Sequence, residues 1–438
     1  MRRNFFVLLF VLFMTNISSV LGMANAKCLG LSFEKLSNGI SVVFISSEKN
    51  NDLLMLFCIS SGSADEIEHR GVANILTKVF TKKLQENSKS LGLECNSYVG
   101  FDQSVYYVFG KVDTIEEQIK SFSSVYYSFS ASEEEVSEQK QNIEKSLELA
   151  KQQDRKLMRS IARKSLYFHS QYGFDVEGNI RGLNEISADS VNNFKKNHYM
   201  TSQLTVVIVG SPDKKSTMAM LEKHFVKDNA TLQRNRLQEP PHHGSTTTLV
   251  KNSSQINIPV VEFYWRIPNY LENKEKALAC DMFVNILDKI LSKKLIDELK
   301  LAASISFRYS FWNREYGDFC ITVVPKDSSK LNLLKTALGT ELRYVAHKGI
   351  NEKEAEEASK KLNESVNYFK KDLFDIADIF SKRLSSGYDY ESVKNFANFS
   401  KKYNLEEVNK NIKEFFDKSP CVISEIVPSS ENGSKNVL

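Results

Sequence analysis

The chain has 438 residues, 42% of them hydrophobic and 26% charged, so it can bury a large core and calls for two to four domains rather than one. Its net charge of +4 includes Arg2 and Arg3, and no dense Lys/Arg patch is interleaved with aromatics, which excludes a nucleic-acid binder. Six cysteines (Cys28, Cys58, Cys95, Cys280, Cys320 and Cys421) form no C-x-x-C pair, which excludes a zinc ribbon or a dithiol redox motif.

Residues 1–26 read as a signal peptide. Arg2 and Arg3 form the basic start, Phe5 to Met14 is an unbroken apolar run too short to span a bilayer, and Ala24-Asn25-Ala26 is a cleavage site, so the mature chain begins at Lys27. Contact with a membrane is then transient, through this segment alone. The alternative is an uncleaved N-terminal anchor.

Phe33 to Ser46 reads as a hairpin around Asn38-Gly39. Leu53 to Ser60 is a buried strand. From Gly71, the residues Val72, Ile75, Leu76, Val79 and Phe80 recur at helical spacing, and Asn74, Thr77 and Lys78 are the polar positions of that helix. A second hairpin centres on Gly100-Phe101-Asp102. Helices are expected at Thr114 to Phe129, at Ser132 to Phe168 (one or two, capped by Ser132), at Ser187 to Tyr199 and at Thr217 to Phe225, with a strand at Leu204 to Gly210.

Periodicity stops over 226–247, where Pro240-Pro241, His242-His243 and Gly244 mark a linker. The order then recurs. Strands are expected at Val260 to Ile267, Ile305 to Phe311, Asp318 to Val324 and Cys421 to Val427. Helices are expected at Lys274 to Asp288, Ser292 to Lys300, Lys330 to Lys348, Glu352 to Phe369 and Leu405 to Phe416. The helix from Ser187 parallels that from Leu405, and an apolar strand follows each. The reading is therefore α+β, with two related halves at 27–225 and 248–430 and a tail at 431–438.

The order of these pieces resembles the insulinase/pitrilysin family of zinc peptidases, over nearly the whole mature chain. FEKLSNGISVVFI resembles the family's first strand and L-x-N-G turn. GSADEIEHRGVAN resembles the acidic loop ending in G-x-A before its zinc helix. HSQYGFDVEGNIRGLNEISADSVNNFKKNHY, LTVVIVG and LIDELKLAASISFRYSFWNREYGDFCI resemble later family segments. The resemblance implies a clam-shell of two homologous halves, each a mostly antiparallel sheet with helices packed on one face.

Active members bind zinc through H-x-x-E-H and a distal Glu. In register, Asn74 takes the first His, Thr77 the catalytic Glu and Lys78 the second His, while Glu148 takes the distal Glu, with Glu144 as a competitor. The family's substrate-binding Arg and Tyr fall on Lys300 and Phe307. The resemblance thus implies a non-catalytic homologue without zinc of its own, paired with a zinc-bearing paralogue in a peptide-degrading or processing chamber. Its ligand would be an extended peptide. The alternatives are an active zinc endopeptidase with a non-standard site and a stand-alone peptide-binding homodimer. The signal peptide implies export, to a bacterial periplasm.

Overall fold

The computed structural model describes residues 28–47, 51–228, 245–310, 312–357, 360, 373–394, 404–418 and 420–429. The signal-peptide reading, most of the linker with His242 and His243, much of the helix expected after Glu352 and the tail lie outside them.

Six strands build the first sheet: β1 (Cys28–Lys35), β2 (Ser41–Ser47), β3 (Asp52–Ile59), β4 (Glu94–Val99), β5 (Ser104–Lys111) and β6 (Leu204–Val209). Their order is β1-β2-β6-β3-β5-β4, antiparallel except for the β2–β6 pair. The first hairpin closes at Gly39, whose φ of +94° only glycine adopts without strain. The first half also carries α1 (Val72–Ser88), α2 (Ile115–Ser128), α3 (Glu133–Lys151), α4 (Asp154–Tyr167), α5 (Ile180–Glu185), α6 (Ala188–His198) and α7 (Lys214–His224). Ser132 caps α3 and Ser187 caps α6, as their sequence positions indicate.

Five strands build the second sheet: β7 (Thr247–Ser253), β8 (Val260–Ile267), β9 (Ala302–Ser310), β10 (Gly317–Pro325) and β11 (Val422–Pro428). Their order is β7-β11-β8-β10-β9, again with one parallel pair, β7–β11. Removing β1 from the first sheet leaves the same order and the same parallel pair, so the two halves are homologous in topology. The helices here are α8 (Lys274–Leu291), α9 (Leu331–Lys348), α10 (Leu373–Ser385), α11 (Tyr390–Lys394) and α12 (Leu405–Lys418).

The period-2 alternation of each strand assigns its two faces. In the first sheet Val42, Phe44, Met55, Phe57, Val206 and Ile208 face α1, α2, α6 and α7. The opposite face (Val43, Ile45, Leu54, Leu56, Val207, Val209) is covered by α10, which comes from the second half. In the second sheet Phe263, Trp265, Phe319 and Ile321 share a core with α8, α9 and α12. The other face of that sheet is crossed by α4, from the first half. Each sheet thus has its own helices on one face and one helix lent by the other half on the second face.

The two crossings differ in chemistry. Under α10 the sheet is apolar. Under α4 it presents Glu262, whose side chain is 3% exposed. Arg159 donates from Nη2 to Glu262 Oε1 at 2.8 Å, Arg155 from Nη2 at 3.3 Å, and the Tyr264 hydroxyl to Oε2 at 2.5 Å. Burial alone would raise the Glu262 pKa, but the Arg159 fork, Tyr264 and Arg155 outweigh it and hold it below the usual carboxylate value.

Candidate functional site

The segment leading into α1 is fixed by one buried acid. Glu66 accepts from Gly71 N at 2.8 Å and from Ala73 N at 2.9 Å, so it caps the free N–H groups of the helix start. Burial pushes its pKa up to about 8, against the pull of those two donors and of Arg70. Gly71 has φ +99°, and a Cβ there would meet Glu177 O at 3.0 Å. The chain therefore turns into α1 at a position that admits no larger residue without strain.

On α1 the three positions that the resemblance assigns to two zinc ligands and the base carry an amide, a hydroxyl and an ammonium. Asn74 is buried. Thr77 is 2% exposed, and its hydroxyl donates back to Ala73 O at 2.8 Å, beside the buried Tyr106–Tyr199 hydroxyl pair. Lys78 points to solvent. Glu148 lies on an exposed stretch of α3, where Lys151 Nζ pairs with it at 2.9 Å. Glu144, its competitor, is half-buried.

This donor set does not fit a zinc ion. An ammonium has no lone pair to give, and amide and hydroxyl groups replace the imidazole nitrogens and carboxylate such a site uses. Among the described residues, no group of three His, Cys, Asp or Glu side chains could hold a metal.

The two positions of the second half lie in a turn and on a strand. Lys300 is exposed in the turn before β9, with φ +54°. Phe307 lies on β9, half-buried, with its ring stacked on Phe319 at 6.3 Å between centroids.

The first sheet ends beside α1 in the outer strand β4. Gln85 Nε2, on α1, donates to Cys95 O at 2.8 Å, and Ser97 N donates to Asn96 Oδ1 at 2.8 Å. Cys95 and Ser97 are two apart, so their backbone groups point the same way. Thr81 and Ser97 join α1 to β4 through their hydroxyls.

The cluster that sequence reasoning missed is centred on Arg314, in the β9–β10 loop. Its backbone N donates to Asp102 Oδ2 at 2.8 Å, Nη2 to Asp102 O at 2.9 Å and to Ser60 O at 3.2 Å, and Nη1 reaches Asp65 at 3.3 Å. Tyr172 donates its hydroxyl to Asp102 Oδ1 at 2.5 Å. Burial raises the Asp102 pKa, with Arg314 and Tyr172 pulling the other way. The cluster ties the segment before α1 to the second half. Asp102 and Arg314 are 212 residues apart, and only the Gly100-Phe101-Asp102 turn offered a signal.

Two family models match the chain, the "Insulinase (Peptidase family M16)" model over residues 41–176 and the "Peptidase M16 inactive domain" model over residues 185–362. An uncharacterized zinc protease of Rickettsia bellii (strain RML369-C) is 20% identical over 369 residues, covering 80% of this chain and 88% of that one. A protease from Helicobacter pylori superposes with a TM-score of 0.78 at 15% identity, covering 92% of this chain and all of that one. The first half of the periplasmic protease PqqL from Escherichia coli gives 0.78 at 17% identity, covering 95% of each chain. A peptidase M16 inactive domain from Pseudomonas fluorescens gives 0.73 at 17% identity, over 92% of this chain and 99% of that one. At such identities the structural likeness establishes the fold.

Proposed function

The chain belongs to the insulinase family of peptidases, family M16, and from that premise we propose that it is a non-catalytic member. It works as the partner subunit of a zinc-bearing paralogue, in a chamber that degrades or processes peptides. The observation that carries this reading is the chemistry of α1. In this reading Asn74, Thr77 and Lys78 take the positions of the family's ligands and base, and the Thr77 hydroxyl is turned into the core. Glu148 is a solvated, ion-paired residue of α3 in the same reading.

Its contribution to the chamber is a wall and a peptide-holding edge, with Lys300 and Phe307 replacing the substrate-binding pair. Extended peptide adds as a strand beside β4, taking over Cys95 O from Gln85 and Ser97 N from Asn96. The chain reaches a bacterial periplasm through cleavage after Ala26. Among the described residues no helix is long and apolar enough to cross a membrane, which is compatible with this route.

The test is purification of the full chain at native levels with metal analysis. The expected result is a heterodimer in which zinc and chelator-sensitive peptide cleavage both belong to the other subunit. A chain that travels alone, with stoichiometric zinc and chelator-sensitive cleavage, would overturn the proposal.

A further inference from the structure

The second sheet leaves open a place that the first sheet covers. In the first half α7 follows β6 and lies against α2, and Phe225 after it joins an aromatic cluster with Phe57, Phe122 and Tyr126. Strand registers place Val42, Val206 and Phe57 of the first sheet in line. The corresponding line in the second sheet is Thr248, Ile423 and Phe263. No helix follows β11 among the described residues, and Thr246, Thr248 and Val250 are exposed along that side of β7.

A cavity of about 430 Å³ remains under α9, α12 and these strands. Its floor is apolar, formed by Phe263, Trp265, Phe416 and Leu342. At its rim Lys335 and Glu425 neutralise each other at 2.6 Å. Arg343 stands on the same side of α9, about two turns further on. It lines the cavity and has no hydrogen-bond or ion-pair partner among the described residues. The rim therefore carries one uncompensated positive charge above an aromatic floor.

We propose that this cavity binds the C-terminal residue of a peptide, with its apolar side chain on the aromatic floor and its carboxylate on Arg343. A guanidinium fork suits a carboxylate. The Thr248 hydroxyl lining the cavity suits the last peptide group (that of Thr336 donates to Asn332 O and that of Thr246 accepts from Cys421 N), and β7 is an outermost strand among the described residues, so the rest of the peptide has a way out. This site is independent of the α1 region and of any pairing with a paralogue.

Trp265 provides the readout, because Trp312 is the sole other tryptophan and Trp312→Phe leaves one reporter. The probes are N-acetyl-alanyl-alanyl-phenylalanine and its C-terminal amide, titrated into the full chain. The expected result is a saturable change in Trp265 emission with the acid, and binding about tenfold weaker for the amide and for Arg343→Ala. Gly339 faces the cavity with nothing closer to an added Cβ than Arg343 Nη1 at 3.9 Å, so Gly339→Leu fills the space without disturbing the helix and should abolish binding. A raised melting temperature of that variant shows that loss of binding is not loss of fold. Equal binding of acid and amide, or full binding by Gly339→Leu, would overturn the proposal. So would binding that appears only after removal of residues 430–438, because the chain's own continuation would then be the occupant. A free N-acetyl-phenylalanine that binds as tightly as the peptide would assign the cavity to small acids instead.

Discussion

In the first half α7 lies against α2, and Val42, Phe44, Val206 and Ile208 on the side of β2 and β6 that faces these helices are apolar and buried. In the second half the matching strands β7 and β11 present Thr248, Val250 and Glu425, and among the described residues no helix follows β11, where a cavity lies. The contrast reverses on the other faces. The lent helix α10 meets an apolar sheet, whereas α4 meets Glu262 with two arginines. A repeated fold therefore need not repeat its chemistry: strand order is kept, and what covers each face is set separately by local residues.

The strongest way to break the comparison is to remove the charge under α4. Glu262→Ala leaves Arg155 and Arg159 without their shared partner and, because both arginines keep access to water, should cost about 2–3 kcal/mol in denaturant unfolding. The Glu262 pKa is depressed in the fold, so its contribution is present above the ordinary value of 4.5 and is lost as pH falls through the folded value. Glu262→Gln should flatten that acid limb, and a limb left unchanged would mean that the crossing is not ionic in origin. Phe374→Ala on α10 should destabilise by a similar amount with no added pH dependence, because it opens an apolar contact.

Two glycines sharpen the contrast at smaller amplitude and opposite sign. Gly71→Ala forces an L-residue into φ +99° against Glu177 O and should destabilise by about 1–2 kcal/mol. Gly339→Ala sits inside α9 with open space around it and should stabilise by about 0.5–1 kcal/mol. Thermal or chemical unfolding of the pair reads both signs in one experiment.

Glu66 adds a pH test beside Gly71. Its folded pKa is raised, so its contribution is present below 4.5 and fades as pH rises towards about 8, and Glu66→Gln should remove that slope. The smallest expected effect is none. Asn74→His alone should give neither bound zinc nor peptide cleavage, since Thr77 and Lys78 remain. Cleavage by that single variant would contradict the reading of α1.

Much of the fold was legible because its signals are local. The Asn38-Gly39 turn, the apolar runs of β3 and β6, and the Ser132 and Ser187 caps each declare themselves within a few residues. β7 carries no such signal, and the expected linker ends on its first residue, Thr247. TTLVKNS is a polar outer strand whose only strand partner among the described residues, β11, lies about 170 residues further along the chain. α10 was missed as well, although Leu373, Phe374, Ile376, Ala377 and Phe380 form a helical stripe. The pattern was present, but the surface it covers belongs to the other half. At the candidate site, the residues at 74, 77 and 78 could be read by register from G-x-A onward. The burial of the Thr77 hydroxyl, the Gln85 contact to β4 and the Arg314–Asp102 cluster depend on partners brought together only by the fold.

The exchange of α4 and α10 constrains how the chain is made. Among the described residues, the face of the first sheet formed by Val43, Ile45, Leu54, Leu56, Val207 and Val209 is covered by residues 373–385, which leave the ribosome late. More than 160 residues are synthesised between β6 and that helix, so an oily surface stays open for most of the time the second half is being translated. A chain that folds this way finishes both halves in one late step. Its newly made form therefore carries exposed apolar sheet until α10 docks.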